Sequence, residues 1–135
     1  MSGDGAATDN KPDDRLRVLI LDDERIVGER LRAAYRKHGW DVAVYTDPTE
    51  ARKRLTESQF DIVVTDIRMD EIDGMEVLGK VTADSPRTKV IIITGYASIE
   101  TAVESARQGA IGYLPKPFTP DEIRTVTENA LRLAA

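Results

Sequence analysis

Acidic side chains follow two apolar runs of the sequence, at the points where those runs end. Asp22 and Asp23 come directly after VLIL at 18–21, and Asp66 comes directly after IVVT at 62–65. Carboxylates brought together at one edge of a sheet form an oxygen-ligand pocket for a hard divalent cation such as Mg²⁺. These three aspartates therefore predict a magnesium site.

A hydroxyl and an amine occupy the equivalent points of two further apolar runs. Thr94 closes VIII at 90–93, and Lys116 follows IGYL at 111–114. Phosphoryl transfer asks a protein mainly for positioning and charge stabilisation, which a metal and an ammonium supply. Lysine suits this position because a compact, flexible ammonium can follow a moving phosphoryl group. Anion-binding groups therefore join the predicted metal ligands.

Composition and charge limit the class of protein. The chain has 135 residues, no cysteine and a formal net charge of −5. The length suits one domain, and an acidic balance without a cluster of Lys and Arg argues against a nucleic-acid surface. The lack of cysteine leaves no disulfide framework and suits a reducing cytoplasm. Since no apolar stretch approaches the roughly 18 residues of a membrane helix, we expect a cytoplasmic protein without membrane contact.

The chain divides into a tail and one folded domain. Residues 1–14 are small, polar and acidic without periodicity, so we expect a disordered tail. Over residues 15–135, strand-like and helix-like patterns alternate five times, which predicts an α/β domain with a parallel sheet covered on both faces. The predicted strands are Arg17 to Asp22, Asp41 to Tyr45, Ile62 to Asp66, Lys89 to Thr94 and Ile111 to Leu114. The alternating VAVY of the second strand indicates an edge position.

The predicted helices carry start and stop signals. Asp47 and Thr119 are each followed by proline and, three positions later, by glutamate, which predicts the starts of the second and fifth helices. Ser98 opens the fourth helix, and Gly39 and Gly109 end the first and the fourth. Apolar periodicity predicts these inward-facing residues: Val27, Leu31, Ala34 and Tyr35 in the first helix, Met75, Leu78 and Val81 in the third, and Ile99, Ala102, Val103 and Ala106 in the fourth.

This order of elements predicts a flavodoxin-like (βα)5 doubly wound sheet. Right-handed crossovers place the C-terminal ends of parallel strands on one edge. In the strand order 2-1-3-4-5, the ligand crevice lies between strands 1 and 3, which carry the acids here. We therefore expect five side chains to converge at that edge: Asp22, Asp23, Asp66, Thr94 and Lys116.

Five blocks of the sequence resemble those of a known family. VLILDDE, DIVVTDIRM, IDGMEVL, VIIITGYAS and GAIGYLPKPF resemble, in order and in spacing, the strand-end blocks of two-component response-regulator receiver domains. The stretch TGYASIETAVESARQGAIGYLPKPF is most similar to receivers of NtrC-type transcriptional regulators. One acidic pair or one KPF tripeptide would be a weak signal, whereas five ordered blocks are a specific one.

The resemblance implies a role for each residue of the predicted site. Asp66 matches the phosphoacceptor, which would take a phosphoryl group from a phosphohistidine. Lys116 matches the lysine that binds the phosphoryl oxygens, and its bond to Pro117 matches a bond that is usually cis in the family. Thr94 and Tyr113 match the hydroxyl and the aromatic ring that move on phosphorylation. The residues that match the magnesium ligands are Asp23, Asp22 through water, Asp66 and the backbone carbonyl of Arg68.

The resemblance also implies partners and an output. The partner upstream would be a sensor histidine kinase or a phosphotransfer protein, and the partner downstream a protein target or a second copy in a phosphorylation-dependent homodimer. The changed surface would lie on helix 4, strand 5 and helix 5, without direct contact to nucleic acid. We expect self-phosphorylation and autodephosphorylation but no turnover of a separate substrate. No output domain is expected within these residues, which suits either a single-domain regulator or a piece of a longer one.

The loop after the third strand departs from the family pattern. Many receivers carry proline after the methionine of this block, whereas Met69 is followed here by Asp70, with Glu71 and Asp73 close behind. This loop is more acidic and less stiff than is usual in the family. The family's phosphorylation rate and aspartyl-phosphate lifetime therefore do not transfer to this chain, although the acceptor position does.

Three alternative functions use parts of the same pattern. A haloacid-dehalogenase-like phosphatase also combines aspartate, magnesium, threonine and lysine, but its D-x-D pattern is missing because Glu24 stands two positions after Asp22, and no room is left for a cap domain. A pseudo-receiver would dock a partner without phosphorylation, and the retained acceptor-site residues argue against it. A flavodoxin-like nucleotide carrier would need a Gly-rich loop after the first strand, which the sequence lacks.

Overall fold

The computed structural model describes residues 15–67 and 74–133. The predicted tail at 1–14 lies outside these ranges. Also outside them are the predicted metal ligand Arg68 and the loop residues Met69, Asp70, Glu71 and Asp73.

Strands and helices alternate along the described residues. The elements are β1 (Arg17–Leu21), α1 (Arg25–Arg36), β2 (Asp41–Tyr45), α2 (Pro48–Glu57), β3 (Ile62–Asp66), α3 (Gly74–Asp84), β4 (Lys89–Thr94), α4 (Ile99–Arg107), β5 (Gly112–Pro115) and α5 (Pro120–Leu133). All strand pairs are parallel, and the strand order is β2-β1-β3-β4-β5. The predicted fold class, strand order and edge position of β2 are therefore confirmed. Three bounds differ by one residue: β1 ends at Leu21, before Asp22, and β5 begins at Gly112, after Ile111, and ends at Pro115, after Leu114.

Alternate residues of each strand point to opposite faces of the sheet. Helices cover both faces, so the sheet has a core on each side. One core joins β1, β3 and β4 to α1 and α5, and a second joins the other face of the same strands to α2 and α3. The first includes Val18, Ile20, Val64, Ile91, Ile93, Leu31, Tyr35 and Ile123. The second includes Leu19, Leu21, Val63, Ile92, Ala51, Val77, Leu78 and Val81. These sets confirm the predicted inward faces of α1 and α3. Among the described helices, none combines the length and the hydropathy that a membrane span requires.

The predicted helix starts are made by side-chain caps. Asp47 accepts a hydrogen bond from the Thr49 amide at 2.9 Å. At α5, the Glu122 amide donates to Thr119 Oγ1 at 3.1 Å, and the Thr119 amide donates back to the Glu122 carboxylate at 2.8 Å. Past the ends of α1 and α4, Gly39 and Gly109 adopt φ values of 78° and 108°. Glycine reaches this left-handed region without a steric penalty, as the stop signals predicted.

The predicted inward face of α4 is wrong. Ile99 is 83% exposed and Val103 is 49% exposed, while the buried residue of this helix is Ser105. Ala106 is also exposed, and Ala102 is half-buried. Apolar periodicity located the stripe, but α4 packs on β5, the short strand at the edge of the sheet. A helix over an edge strand has less sheet beneath it, which leaves much of the stripe in solvent.

A buried hydroxyl pair joins α1 to α5 and supports a stability prediction. Thr127 donates to the Ile123 carbonyl at 2.7 Å, so the Tyr35 hydroxyl, 2.8 Å from Thr127 Oγ1, is the donor in that contact. We expect Tyr35→Phe to lower the free energy of unfolding by about 1 kcal/mol, because one buried hydrogen bond is lost. Urea denaturation at neutral pH measures this. Tyr45→Phe, at a half-buried hydroxyl, is the control and should cost less.

Tyr35 should also make the stability of the protein depend on pH in the alkaline range. Burial raises the pKa of Tyr35 above its usual value of 10.0. The unfolded chain therefore loses the phenolic proton at a lower pH than the folded chain, so stability from this group falls as the pH rises above about 10. Tyr35→Phe should show a shallower loss of stability over that range, and equal slopes for both proteins would contradict this.

Candidate functional site

Three aspartates meet at the C-terminal ends of β1 and β3. The carboxylate oxygens of Asp22, Asp23 and Asp66 lie within 4.8 Å of one another. Asp22 and Asp66 are buried, whereas Asp23 is exposed. Pairing of β1 with β3 brings them together, since Leu21 is in register with Thr65, and the Asp22 amide donates to the Tyr45 carbonyl at 3.1 Å. The cluster has a buried floor and one carboxylate at its mouth.

The start of α3 packs directly against the backbone of Asp66. The Gly74 amide donates to the Ile67 carbonyl at 2.8 Å. A Cβ atom at Gly74 would collide with the Asp66 carbonyl oxygen. Glycine is therefore required where α3 begins beside the aspartate.

Lys116 lies across the cluster. Its Nζ is 2.8 Å from Asp22 Oδ2, 2.8 Å from Asp66 Oδ2 and 3.3 Å from Glu24 Oε1. Burial alone would lower the pKa of Lys116, but hydrogen bonds and charge from Asp22 and Asp66 raise it above its usual value. The ammonium therefore stays charged and neutralises part of the negative charge of the acids.

The pKa of Asp22 depends on its burial and on its charged neighbours. Burial raises the pKa of Asp22 above its usual value of 3.8, with a smaller contribution in the same direction from the charge of Asp66. Lys116 and the Glu24 amide, which donates to Asp22 Oδ1 at 2.8 Å, act in the opposite direction. Asp22 Oδ2 is buried, and the Lys116 ammonium at 2.8 Å is its charged neighbour among the described residues. A buried carboxylate oxygen among three hard oxygen donors fits a cation such as Mg²⁺.

Thr94 connects the end of β4 to the lysine. Its carbonyl accepts a hydrogen bond from the Lys116 amide at 2.7 Å, and its buried Oγ1 accepts one from the Tyr96 amide at 2.9 Å. In the register of β3 and β4, Asp66 pairs with Ile93, directly before Thr94. The Lys116–Pro117 bond is cis. Among residues 15–67 and 74–133, the Thr94 hydroxyl is seen only as an acceptor, so its hydrogen could be donated to a new group.

The Tyr113 hydroxyl lies on the first turn of α4. It is 2.6 Å from Thr101 Oγ1 and accepts a hydrogen bond from the Ser98 amide at 3.3 Å. The aromatic ring is half-buried and packs against the second core. Tyr113 therefore links β5 to the helix that follows β4.

The structure brings Asp22, Asp23, Asp66 and Lys116 into one cluster and ties Thr94 to it through the backbone of Lys116. The predicted ligand Arg68 falls outside the described residues. Sequence reasoning missed the contact of Glu24 with Lys116 and that of Thr101 with Tyr113. Glu24 directly follows the acidic pair, and Thr101 stands three residues after the cap Ser98, where capping residues bond back. The sequence positions of Glu24 and Thr101 could therefore have indicated these contacts.

Known proteins are similar in sequence to this chain over most of the described residues. The family model of the response regulator receiver domain matches residues 18–128. The transcriptional regulatory protein ZraR of Escherichia coli K12 is 37% identical over 118 residues, which are 87% of this chain and 27% of ZraR. The regulatory protein AtoC of the same strain is 38% identical over 117 residues, which are 87% of this chain and 25% of AtoC. The chain therefore spans about a quarter of the length of these relatives.

Solved structures share the fold. The solution structure of the beryllofluoride-activated NtrC4 receiver domain dimer has a TM-score of 0.83 and 31% identity, covering 88% of this chain and 98% of that one. A Burkholderia pseudomallei response regulator, crystallised with a phosphorylated aspartic acid, a calcium ion and citrate, has a TM-score of 0.79 and 26% identity, covering 87% of this chain and 70% of that one. ZraR, AtoC and NtrC4 are of the NtrC type, as the sequence resemblance predicted. The chain belongs to the response regulator receiver domain family of two-component systems.

Proposed function

We propose that Asp66 accepts a phosphoryl group from the phosphohistidine of a sensor histidine kinase or phosphotransfer protein, in a reaction that requires Mg²⁺. The observation that carries this proposal is the buried Asp66 carboxylate, which has an ammonium at 2.8 Å and two further carboxylates within 4.8 Å. A nucleophilic oxygen, a metal pocket and an anion-binding amine thus occupy one small volume.

In the proposed transfer, an Asp66 carboxylate oxygen attacks the phosphorus atom. The new O–P bond forms as the P–N bond breaks, and the bonding electron pair leaves on the imidazole nitrogen of the donor. Lys116 Nζ, already 2.8 Å from Asp66 Oδ2, follows the incoming phosphoryl oxygens. Asp22, Asp23 and Asp66 would hold Mg²⁺, which neutralises charge on the phosphoryl group when bound.

Hydrolysis of the aspartyl phosphate would end the phosphorylated state. A water molecule attacks phosphorus, the O–P bond to Asp66 breaks, and inorganic phosphate leaves as the carboxylate is restored. The protein acts on its own side chain, so we propose that it is not an enzyme with a separate substrate. Repeated turnover of a small phosphate ester would instead favour the haloacid-dehalogenase-like alternative.

The relatives support this proposal by their chemistry. The B. pseudomallei response regulator was crystallised with a phosphorylated aspartic acid and a calcium ion. The NtrC4 receiver responds to beryllofluoride, which mimics an acyl phosphate. Membership of the same family also supports a cytoplasmic location for the reaction.

The proposed output is a changed surface on α4, β5 and α5. Phosphorylation replaces one carboxylate with a group of about −1.5 to −2 charge and three acceptor oxygens, which favours movement of a nearby hydroxyl such as that of Thr94. Tyr96, Ile99 and Val103 are large apolar side chains exposed on or beside α4, at 61%, 83% and 49%. They suit contact with a downstream protein or a second copy of this chain, as the NtrC4 dimer suggests by analogy. We propose no direct contact with nucleic acid or membrane.

Labelling tests the acceptor. Incubation with acetyl phosphate and Mg²⁺ should add the mass of one phosphoryl group, and peptide mapping after borohydride reduction should locate it at Asp66. A label on another residue contradicts the proposal. An unlabelled protein that also fails to bind Mg²⁺ would favour the pseudo-receiver alternative.

Magnesium should stabilise the folded protein through the aspartates. We expect Mg²⁺ to raise the thermal midpoint of the wild type, because a ligand that binds only the folded state adds its binding free energy to stability. Asp23→Asn should remove most of this shift, since its exposed carboxylate is a ligand without a structural contact to Lys116. Asp121→Asn, at an exposed acid of α5, should keep the shift. An equal shift in wild type and Asp23→Asn would place the cation elsewhere.

A further inference from the structure

Two amides of the segment between β4 and α4 each donate to a hydroxyl. The Tyr96 amide donates to Thr94 Oγ1 at 2.9 Å, and the Ser98 amide donates to the Tyr113 hydroxyl at 3.3 Å. The two amides stand two residues apart in one short segment. A movement that breaks the first bond therefore displaces the donor of the second.

Thr101 is the residue on which these contacts meet. Its Oγ1 lies 2.6 Å from the Tyr113 hydroxyl, 3.0 Å from Ser98 Oγ and 3.2 Å from the Ser98 carbonyl. It also accepts a hydrogen bond from the Ser98 amide at 3.2 Å, while the Thr101 amide donates to Ser98 Oγ at 3.0 Å. One side chain thus caps α4 and binds the ring hydroxyl of β5.

The short distance to Tyr113 makes this contact the strongest hold on the ring hydroxyl. An O–H···O bond is usually about 2.7 to 2.8 Å long, and the contact with Thr101 is 2.6 Å. The Ser98 amide contact, at 3.3 Å, is longer than the roughly 2.7 to 3.2 Å of most N–H···O bonds. Loss of the Ser98 contact would therefore leave Tyr113 attached to α4 through Thr101. Thr101 is half-buried, so water competes only in part for its hydroxyl.

We propose that Thr101 is a positioning residue that holds Tyr113, and with it the start of α4, in the unphosphorylated arrangement. The inference rests on the proposed function, in which a phosphoryl group on Asp66 recruits the Thr94 hydroxyl. That recruitment changes the bond from the Tyr96 amide and displaces the Ser98 amide. The Thr101 to Tyr113 bond opposes the change, so its strength sets how readily the α4 surface responds.

The test is the affinity for beryllofluoride in the presence of Mg²⁺, measured by calorimetry. Thr101→Val keeps the shape and removes the hydroxyl, and we expect it to bind beryllofluoride about threefold to tenfold more tightly, because one hydrogen bond no longer favours the resting state. Thr101→Ser keeps the hydroxyl and should stay near the wild-type affinity. Unchanged or weaker binding by Thr101→Val overturns the inference.

A double-mutant cycle separates this role from helix capping. Tyr113→Phe removes the ring hydroxyl but leaves the Ser98 and Thr101 cap in place. In that background, Thr101→Val should have no further effect on affinity, since the bond is already absent. An effect of the same size in both backgrounds would assign Thr101 to capping alone and overturn the inference.

A cap variant is the matched control. Ser98→Ala removes the side-chain acceptor of the Thr101 amide but keeps both contacts to Tyr113. Its affinity should lie closer to that of the wild type than to that of Thr101→Val. If the wild type itself neither binds beryllofluoride nor takes up a phosphoryl group, the proposed function fails first. If it does both and the cycle shows no coupling, only the role of Thr101 fails.

Discussion

Asp66→Asn should take up no phosphoryl group from acetyl phosphate or from a phosphohistidine donor, while remaining folded. The amide that replaces the carboxylate has a similar shape but no anionic oxygen to attack phosphorus. Lys116 keeps Asp22 and Glu24 as partners in this variant, so the fold does not lose its counter-charge. Intact mass spectrometry after exposure to the donor and Mg²⁺ measures the result.

The matched control for Asp66→Asn is the same substitution at an exposed acid. Asp121 lies on the first turn of α5 with a side chain that is 88% exposed, so Asp121→Asn should be labelled like the wild type. Uptake by Asp66→Asn at the wild-type rate would mean that another side chain accepts the group. Absence of uptake in both variants and in the wild type would remove the basis for a phosphoacceptor.

Lys116→Ala should have the largest effect on stability among single substitutions at the site. It leaves the buried carboxylates of Asp22 and Asp66 without the ammonium that contacts both at 2.8 Å. Breaking a buried ion pair from one side costs about 3 to 5 kcal/mol, because the remaining charge is uncompensated. We expect a loss of that order in urea denaturation without Mg²⁺, together with slower phosphorylation.

Added Mg²⁺ tests whether the stability lost in Lys116→Ala comes from uncompensated carboxylate charge. The divalent cation should recover part of the stability of Lys116→Ala, because it supplies positive charge to the same carboxylates. The control is Lys80→Ala, which removes an exposed ion pair with Asp84 at 3.3 Å. Exposed pairs contribute about 0 to 1 kcal/mol, so this change should be small. If both variants lost the same small amount, the ion pairs of Lys116 would be no stronger than a surface contact.

Most of the fold could be predicted because each element agrees with its neighbours in the chain. The buried strands have unbroken aliphatic runs, and the helix starts carry caps at Asp47, Ser98 and Thr119. Local signals of this kind depend on residues only a few positions apart. The orientation of α4 could not be predicted in this way, because periodicity shows that Ile99 and Val103 share one face but not whether a sheet lies beneath that face.

The same distinction holds for the site. The sequence by itself determined which groups are available and the strand ends they follow, since the types and spacing of Asp22, Asp66, Thr94 and Lys116 depend on no long-range contact. Only the tertiary structure decided that Lys116 contacts Asp22, Asp66 and also Glu24, and that Tyr113 binds the start of α4 through Thr101. These contacts join residues far apart in the chain, and their distances depend on how parallel strands and helices pack. Packing also decided which carboxylates are buried, and burial is what raises the pKa of Asp22.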